Sequence, residues 1–313
     1  MLDWIACTLV KAIGVALCRL PPGVAVWCGE RLGVVAYWLW PNRRAIGLRN
    51  LRAAFHGQLT PAQARGIIRA SFKQMGAGLL ELLRLPVMDR TSIERYIANE
   101  GFHHIEAAGA AKRPLILLTG HYGNWELSSI YCALRGYPIV AVAREPRGFP
   151  RLYRLLVSYR ESKGCAVVHK GGASRRIVEA LRQAQPVGIV GDQASRQGVF
   201  IDFFGRPALF ATGPLKLALS EGAAIAPAFI HRVRGPFHRL VIEEPFHLSK
   251  DLKDAQAIRE GLERFASRLV STVREDPTQW LWMHKRWKHT PARRLLVLSD
   301  GRRGHLKQSL AVV

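Results

Sequence analysis

His121 and Glu126, within LILLTGHYGNWELSS at 115–129, are the residues whose types and spacing best fit chemistry. A neutral imidazole near pH 7 can take a proton from an alcohol. A carboxylate on its other ring nitrogen would fix the tautomer and steady the imidazolium that forms. The pair is two thirds of a catalytic triad, and a substrate hydroxyl could stand in for the missing nucleophile. Spacing alone is weak evidence. With 11 His and 23 Asp plus Glu in 313 residues, roughly 0.8 His-x4-acid matches arise by chance, so the motif is a hypothesis to be placed in context. A second match, His238 with Glu243 in HRLVIE, reads as a strand, where an odd separation sends the two side chains to opposite faces. It is set aside. The competing reading of His121 and Glu126 is a buried histidine and a helix-capping glutamate.

The surrounding elements favour the chemical reading. Leu115 to Leu118 form a short apolar run that reads as a buried strand, Thr119 and Gly120 turn the chain, and a helix opens near Trp125. From Pro114 onward strands and helical segments alternate through LILLTG, WELSSIYCALRG, YPIVAVAR, FPRLYRLLVSYRESKG, CAVVHK, ASRRIVEALRQ and PVGIVGDQ. Such alternation predicts an α/β fold with a mostly parallel central sheet flanked by helices. In that class ligands sit at the carboxyl ends of the strands. His121, Arg144 and Asp192 each follow directly on a strand, so all three are expected on one edge. Beyond them FFGRPALFATG reads as a loop or hairpin opening a helix at Pro214, with Phe203, Phe204 and Phe210 as tunnel lining or plain core. Two more strands, AIAPAFIHRV and HRLVIEEPF, precede a helix from about 254 to 274.

The chain carries 46 Lys plus Arg against 23 Asp plus Glu, a net charge of +23. Nucleic acid, anionic lipid headgroups and acidic carrier proteins all suit a surface of that sign. A 49% hydrophobic content with eight Trp shifts the balance toward membrane contact. Five cysteines with no C-x-x-C pair argue against disulfides and a zinc site. His103 and His104 have diverging side chains and no evident third ligand, so no metal is expected.

Residues 2–20 are an apolar run of nearly bilayer length interrupted by Lys11, followed by Pro21-Pro22 rather than a cleavage site. A second run, Val24–Trp40, ends in the aromatic YWLWP. Residues 1–40 are therefore expected to be a membrane anchor, one spanning or steeply inserted helix followed by an interfacial one. Residues 41–291 form the catalytic domain, and 292–313 a tail or the start of a further α/β unit. Arg43, Arg44, Arg49 and Arg52 would meet anionic headgroups on the cytoplasmic side. The segment PTQWLWMHKRWK interleaves cations with indoles, which suits a membrane interface.

Six stretches, in order, resemble the lipid A biosynthesis acyltransferase family, the late acyltransferases that add secondary acyl chains to Kdo2-lipid A. They are NLRAAF near residue 50, GHYGNWEL, VAVARE, SYRESKG, GDQ with its GVFIDFFGRPA continuation, and PTQWLWMHKRWK. The resemblance implies the glycerol-phosphate acyltransferase-like fold of the lysophospholipid acyltransferase superfamily. It implies an enzyme on the cytoplasmic side of the bacterial inner membrane that moves an acyl chain from acyl carrier protein, or from acyl-CoA, to a glycolipid hydroxyl. It also implies His121 as general base and Glu126 as its orienting partner in the family's HX4D/E motif. Arg144 and Arg160 would hold phosphate or the developing oxyanion, and Asn124, Asp192 and Gln193 are further substrate-binding positions. No cofactor or metal is implied; the partners are acyl carrier protein, the glycolipid acceptor and membrane phospholipid, with no nucleic acid. The superfamily also acylates mannosylated phosphatidylinositol, so the acceptor stays open between a lipid A precursor and another glycolipid.

Two other classes compete. A triad hydrolase needs a nucleophile at a strand-to-helix elbow, and no G-x-S-x-G occurs. A non-enzymatic basic module fits the charge, yet no helix-turn-helix, RNA-recognition or zinc-finger signature is present.

Overall fold

A computed structural model describes residues 1–143, 148–169, 173–249 and 251–291. Four helices lead: α1 (Leu2–Cys18), α2 (Pro22–Leu39), α3 (Pro41–Ala54) and α4 (Pro61–Leu83). After α5 (Arg90–Tyr96), β1 (Ile97–Glu100) and α6 (His103–Ala110), the alternating part runs β2 (Leu115–Thr119), α7 (Trp125–Leu134), β3 (Val140–Ala143), α8 (Pro150–Glu161), β4 (Ala166–His169), α9 (Ala173–Arg182) and β5 (Val187–Val190). A hairpin of β6 (Val199–Asp202) and β7 (Pro207–Phe210), then α10 (Gly213–Glu221), β8 (Ala224–Arg234), β9 (Phe237–Ile242) and α11 (Asp254–Glu275) complete the described fold.

Seven strands make one sheet in the order β1-β9-β8-β2-β5-β3-β4. Its pairs are parallel except β8 with β9, which run antiparallel. The expected mostly parallel α/β sheet is therefore present. The apolar run of β2 shows why: Ile116 and Leu118 point into one core cluster, Leu115 and Leu117 into the other. A strand that is apolar on both faces must be covered on both, and helices do this in a parallel sheet. The sequence signals that open α4 are also realised: Pro61 stands in its first turn, and Thr60 and Gln63 form a reciprocal capping box.

Helix α4 is the platform for the N-terminal helices, and glycines let α2 lie directly on it. A Cβ at Gly33 would come within 2.2 Å of the Phe72 carbonyl oxygen, and one at Gly76 within 2.2 Å of that of Gly29. Lys73 of α4 adds an ion pair to Glu30 of α2 at 3.0 Å. Arg84 ties down the end of α1 through the carbonyls of Leu17 and Leu20. Asp3, at the other end of α1, accepts from the backbone N–H groups of Arg151 and Leu152 in the first turn of α8.

The expected membrane-spanning helix is not found: among the described residues no helix is long and apolar enough to cross a bilayer. The 17 residues of α1 extend about 25 Å at the helical rise, short of a hydrocarbon core of about 30 Å, and Lys11 interrupts them. A second expectation also changes. Trp280, Trp282 and Arg286 of the PTQWLWMHKRWK segment are buried to within 1% of full burial and pack with Phe203, Phe204 and Phe210. Aromatic area of that size stabilises a core more than an interface when a hairpin offers a matching apolar face. The tail from 292 onward lies outside the described residues.

Candidate active site

Strands β2 and β5 are neighbours, and their register pairs Thr119 with Val190. The Gly191 N–H extends the ladder by donating to the Thr119 carbonyl at 2.8 Å. Two residues past each paired position come His121 and Asp192, brought level on the same sheet edge. Their contact is direct: His121 Nδ1 lies 2.5 Å from Asp192 Oδ1, and the His121 backbone N–H donates to Asp192 Oδ2 at 2.9 Å. Trp280 Nε1 donates to the same Oδ2 at 2.8 Å. Asp192 is fully buried. Burial works against its ionisation, but His121 and these hydrogen bonds outweigh it and hold the carboxyl well below the usual carboxylate range. An acceptor-only carboxylate on Nδ1 assigns the ring proton to Nδ1 and leaves the Nε2 lone pair outward. There the Gln193 amide nitrogen lies 2.9 Å away and donates to it.

The carboxylate that meets the imidazole is thus Asp192, where Glu126 was expected. Glu126 forms a bidentate pair with Arg160 of α8, Nε to Oε2 at 2.7 Å and NH2 to Oε1 at 2.8 Å. The reason is geometric. Five residues along a continuous helix are about 140° apart in azimuth, and here the intervening loop turns further at Gly123, whose φ is +58°. A Cβ on Gly123 would stand 1.8 Å from the Ile230 carbonyl oxygen, so only glycine fits this approach. Glu126 sits in the first turn of α7, where the helix dipole favours a carboxylate.

Asn124, the residue before α7, is turned away from the open edge: it is buried, and its amide donates to Glu81 Oε2 at 2.8 Å. Glu81 lies on the buried face of α4 and receives both terminal nitrogens of Arg232 from β8, at 2.7 and 2.6 Å. Burial opposes its ionisation, while the Arg232 fork and the Asn124 amide hold its pKa below the ordinary value. Gln279 joins this network to the loop that bears His121. Its side chain pairs with the Arg232 backbone, and its carbonyl accepts from Gly123 N–H. Leu281 N–H donates to the His121 carbonyl, Asn50 of the NLRAAF stretch donates to the carbonyls of Trp282 and His284, and Ser71 to that of Trp280. The loop bearing His121 is held from both sides by buried polar groups.

Two cavities reach residues that touch His121, one at Trp125 and the other at Gln193. One, about 90 Å³, lies between the sheet and helices α7 and α8; Trp125, Cys132, Ile139 and Gly188 line it, and Glu126 with Arg160 stand in its wall. Trp125 also packs edge-on to His121, ring centres 4.8 Å apart. The other, about 690 Å³ and open, lies between the α2–α3 corner and residues 281–284 and includes Gln193. Phe203, Phe204 and Phe210 line neither cavity; they are core.

Of the expected site residues, His121, Asp192 and Gln193 form one cluster and Glu126 with Arg160 an adjacent one. Asn124 joins neither and is bonded to Glu81 instead, and Arg144 lies outside the described residues. His238 and Glu243 do separate, as the strand reading required: His238 is buried, and Glu243 bonds Arg268. Sequence reading missed Trp280, Glu81, Arg232 and His284. The one local signal for them was an acid, Glu81, inside the apolar run LLELLRL. No group of three or more His, Cys, Asp or Glu side chains suited to a metal occurs among the described residues.

A sequence model of the family described as "Bacterial lipid A biosynthesis acyltransferase" matches residues 1–289. The chain is similar to the phosphatidylinositol mannoside acyltransferase of Mycolicibacterium smegmatis, with 29% identity over 245 residues covering 77% of this chain and 76% of the relative. It is also similar to the lipid A biosynthesis lauroyltransferase of Escherichia coli, 26% identical over 282 residues covering 87% and 88%. With the Escherichia coli palmitoleoyltransferase of lipid A biosynthesis the identity is 23% over 278 residues, covering 87% and 88%.

Proposed function

Because the chain belongs to the bacterial lipid A biosynthesis acyltransferase family, we propose that it moves a fatty acyl chain from a thioester donor to a hydroxyl of a glycolipid, with His121 as general base. The observation that carries this reading is the His121–Asp192 pair, which leaves Nε2 as a lone pair held only by the amide of Gln193, a residue that lines the open cavity. The acceptor hydroxyl displaces the Gln193 amide and gives its proton to Nε2. Its oxygen attacks the thioester carbonyl; the C–S bond breaks as the C–O ester forms, and the leaving thiolate takes the proton from His121. Asp192 steadies the imidazolium between the two transfers.

We take the smaller, largely apolar cavity as the opening toward the acyl chain's site, and the guanidinium of Arg160, paired with Glu126 in its wall, as the group that would stabilise the developing oxyanion. The donor is acyl carrier protein or acyl-CoA, and the acceptor a lipid A precursor or a phosphatidylinositol mannoside-like lipid.

A membrane seat is part of this reading. Leu2, Ile5, Leu9 and Ile13 leave an exposed apolar stripe on α1, and Trp27 and Trp38 another on α2. An apolar surface of that extent on a strongly cationic chain fits an interfacial helix pair on anionic lipid, at the cytoplasmic face of the inner membrane.

The test is thiol release from an acyl donor with and without glycolipid. Release that requires the acceptor, and is lost in His121→Ala while the fold persists, is expected. Free fatty acid formed at the same rate without acceptor would make the protein a thioesterase instead.

A further inference from the structure

Helix α1 has two unlike faces. Leu2, Ile5, Leu9 and Ile13 are exposed, whereas Asp3, Val10, Gly14 and Leu17 follow the helical repeat along a partly or fully buried stripe. An acid on the covered stripe of an apolar helix needs a partner, and Asp3 has two. Its Oδ2 accepts from the Arg151 N–H at 2.9 Å and its Oδ1 from the Leu152 N–H at 3.2 Å. Those N–H groups belong to the first turn of α8, which opens at Pro150 after Phe149, a residue with no acceptor in its side chain. The helix therefore has no side-chain cap of its own. The carboxylate of α1 supplies one, and its charge suits the positive end of the α8 dipole.

The contact between α1 and α8 continues from there. Val10 and Leu17 share an apolar cluster with Leu156 and Tyr159, and a Cβ on Gly14 would stand 3.7 Å from the Tyr159 hydroxyl. The two helices thus lie side by side and run the same way, from Asp3 beside Arg151 to Gly14 beside Tyr159. Apolar side chains in such a pair tolerate sliding along the axis. Two hydrogen bonds to one carboxylate do not, because their strength falls steeply with distance and angle, so Asp3 fixes the axial position of α8. About 13 Å further along at the helical rise, in the last turn, Arg160 reaches across to Glu126 of α7 and holds it with two nitrogens.

We propose that Asp3 is a positioning residue for acyl transfer: by capping α8 from α1 it sets where the Arg160 guanidinium stands against Glu126. This role rests on the acyl-transfer reading above, in which Arg160 stabilises the oxyanion. A donor aimed at developing charge works within about 0.5 Å of its place, and about an ångström of misplacement costs up to a hundredfold in rate. Without Asp3 the first turn of α8 frays and the helix is free to slide on α1. Asp3 lines neither of the two cavities beside the site, so its loss lowers the rate and leaves substrate affinity as it was.

The test is acyl transfer by the full chain in mixed micelles. The donors are acyl carrier protein and coenzyme A loaded with fatty acids of several lengths, and the acceptors a lipid A precursor and a phosphatidylinositol mannoside. Asp3→Ala is expected to lower kcat about tenfold with donor and acceptor KM unchanged, and Asp3→Asn, which keeps a capping oxygen, to recover most of the loss. In an Arg160→Ala background the same Asp3→Ala change is expected to cost less than about twofold, since the group it positions is gone. Thermal melts show that each variant folds, and sedimentation with vesicles of phosphatidylglycerol and phosphatidylethanolamine is expected to match the wild type. An unchanged kcat in Asp3→Ala, whatever its melting temperature, would reduce Asp3 to a cap for stability alone. A loss that persists in full without Arg160, or one that tracks lost vesicle binding, would overturn the role as well; each of these leaves acyl transfer standing. Transfer by the wild type to neither lipid from either donor would remove the acyl-transfer reading and this role with it.

Discussion

Replacing Asp192 by asparagine is expected to abolish the base while leaving the fold in place. Asp192 accepts from His121 Nδ1 on one oxygen, and from the His121 backbone N–H and Trp280 Nε1 on the other. Asparagine keeps a carbonyl for the last two donors. Its amide NH2 then faces Nδ1 and can only donate, so Nδ1 must become the lone pair and the ring proton moves to Nε2. The nitrogen that should receive the acceptor's proton is then blocked. A wrong tautomer of this kind costs about 10³–10⁴ in rate, or about 4–5.5 kcal/mol of transition-state stabilisation. Glu126→Gln provides the contrast, because it breaks the Arg160 pair without touching His121; a loss of about tenfold to a hundredfold is expected from a displaced guanidinium. Single-turnover transfer at saturating donor and acceptor measures both, with thermal melts as the control. A loss of less than tenfold in Asp192→Asn alongside a thousandfold loss in Glu126→Gln would refute the pairing and return Glu126 to the imidazole.

Three further outcomes are expected. Glu81→Ala strands Arg232 in the interior and should cost about 3–5 kcal/mol by urea denaturation, whereas Glu81→Met with Arg232→Met should recover much of it; equal stability of Glu81→Ala and wild type would show the pair to be inconsequential. His238 and His284 are each pushed down to about 4 from 6.5, first of all by burial. The unfolded chain therefore takes up protons first as the pH falls, and stability should drop between pH 6.5 and 4 by about 3 kcal/mol per histidine. His238→Gln with His284→Gln should flatten that limb, and an unchanged slope would contradict the assignment. Ile5→Asp with Trp27→Asp removes two exposed apolar side chains from α1 and α2, so sedimentation with anionic vesicles should fall about tenfold or more. Undiminished binding would place the membrane contact elsewhere.

Much of the architecture was legible in the sequence because β2 announces its own burial. An apolar run with no polar face needs cover on both sides, and the alternation of strands with helices supplies it. The convergence of His121 and Asp192 on one edge followed from the same pattern. Their pairing did not, because it depends on β5 lying beside β2, and strand order is not written in spacing. The Glu126 expectation failed for a related reason: a motif read linearly says nothing of how Gly123 turns the loop. Trp280, Trp282 and Arg286 were misplaced because the same residue types serve an interface and an aromatic core. Their fate was decided by a hairpin more than 70 residues earlier in the chain. The N-terminal helices read as apolar in sequence, yet one face of α2 is spent on α4, through glycine contacts that composition cannot reveal.

That His121, oriented by Asp192, activates a glycolipid hydroxyl toward an acyl thioester is tested most directly by the mass of the lipid product. Membranes carrying the protein are incubated with acyl carrier protein loaded with fatty acids of several lengths, total lipid extract is added, and the lipids are analysed by mass spectrometry. A gain of one acyl group on a glycolipid, absent with His121→Ala, is the expected result. The same acylated product at the same yield from His121→Ala would contradict it.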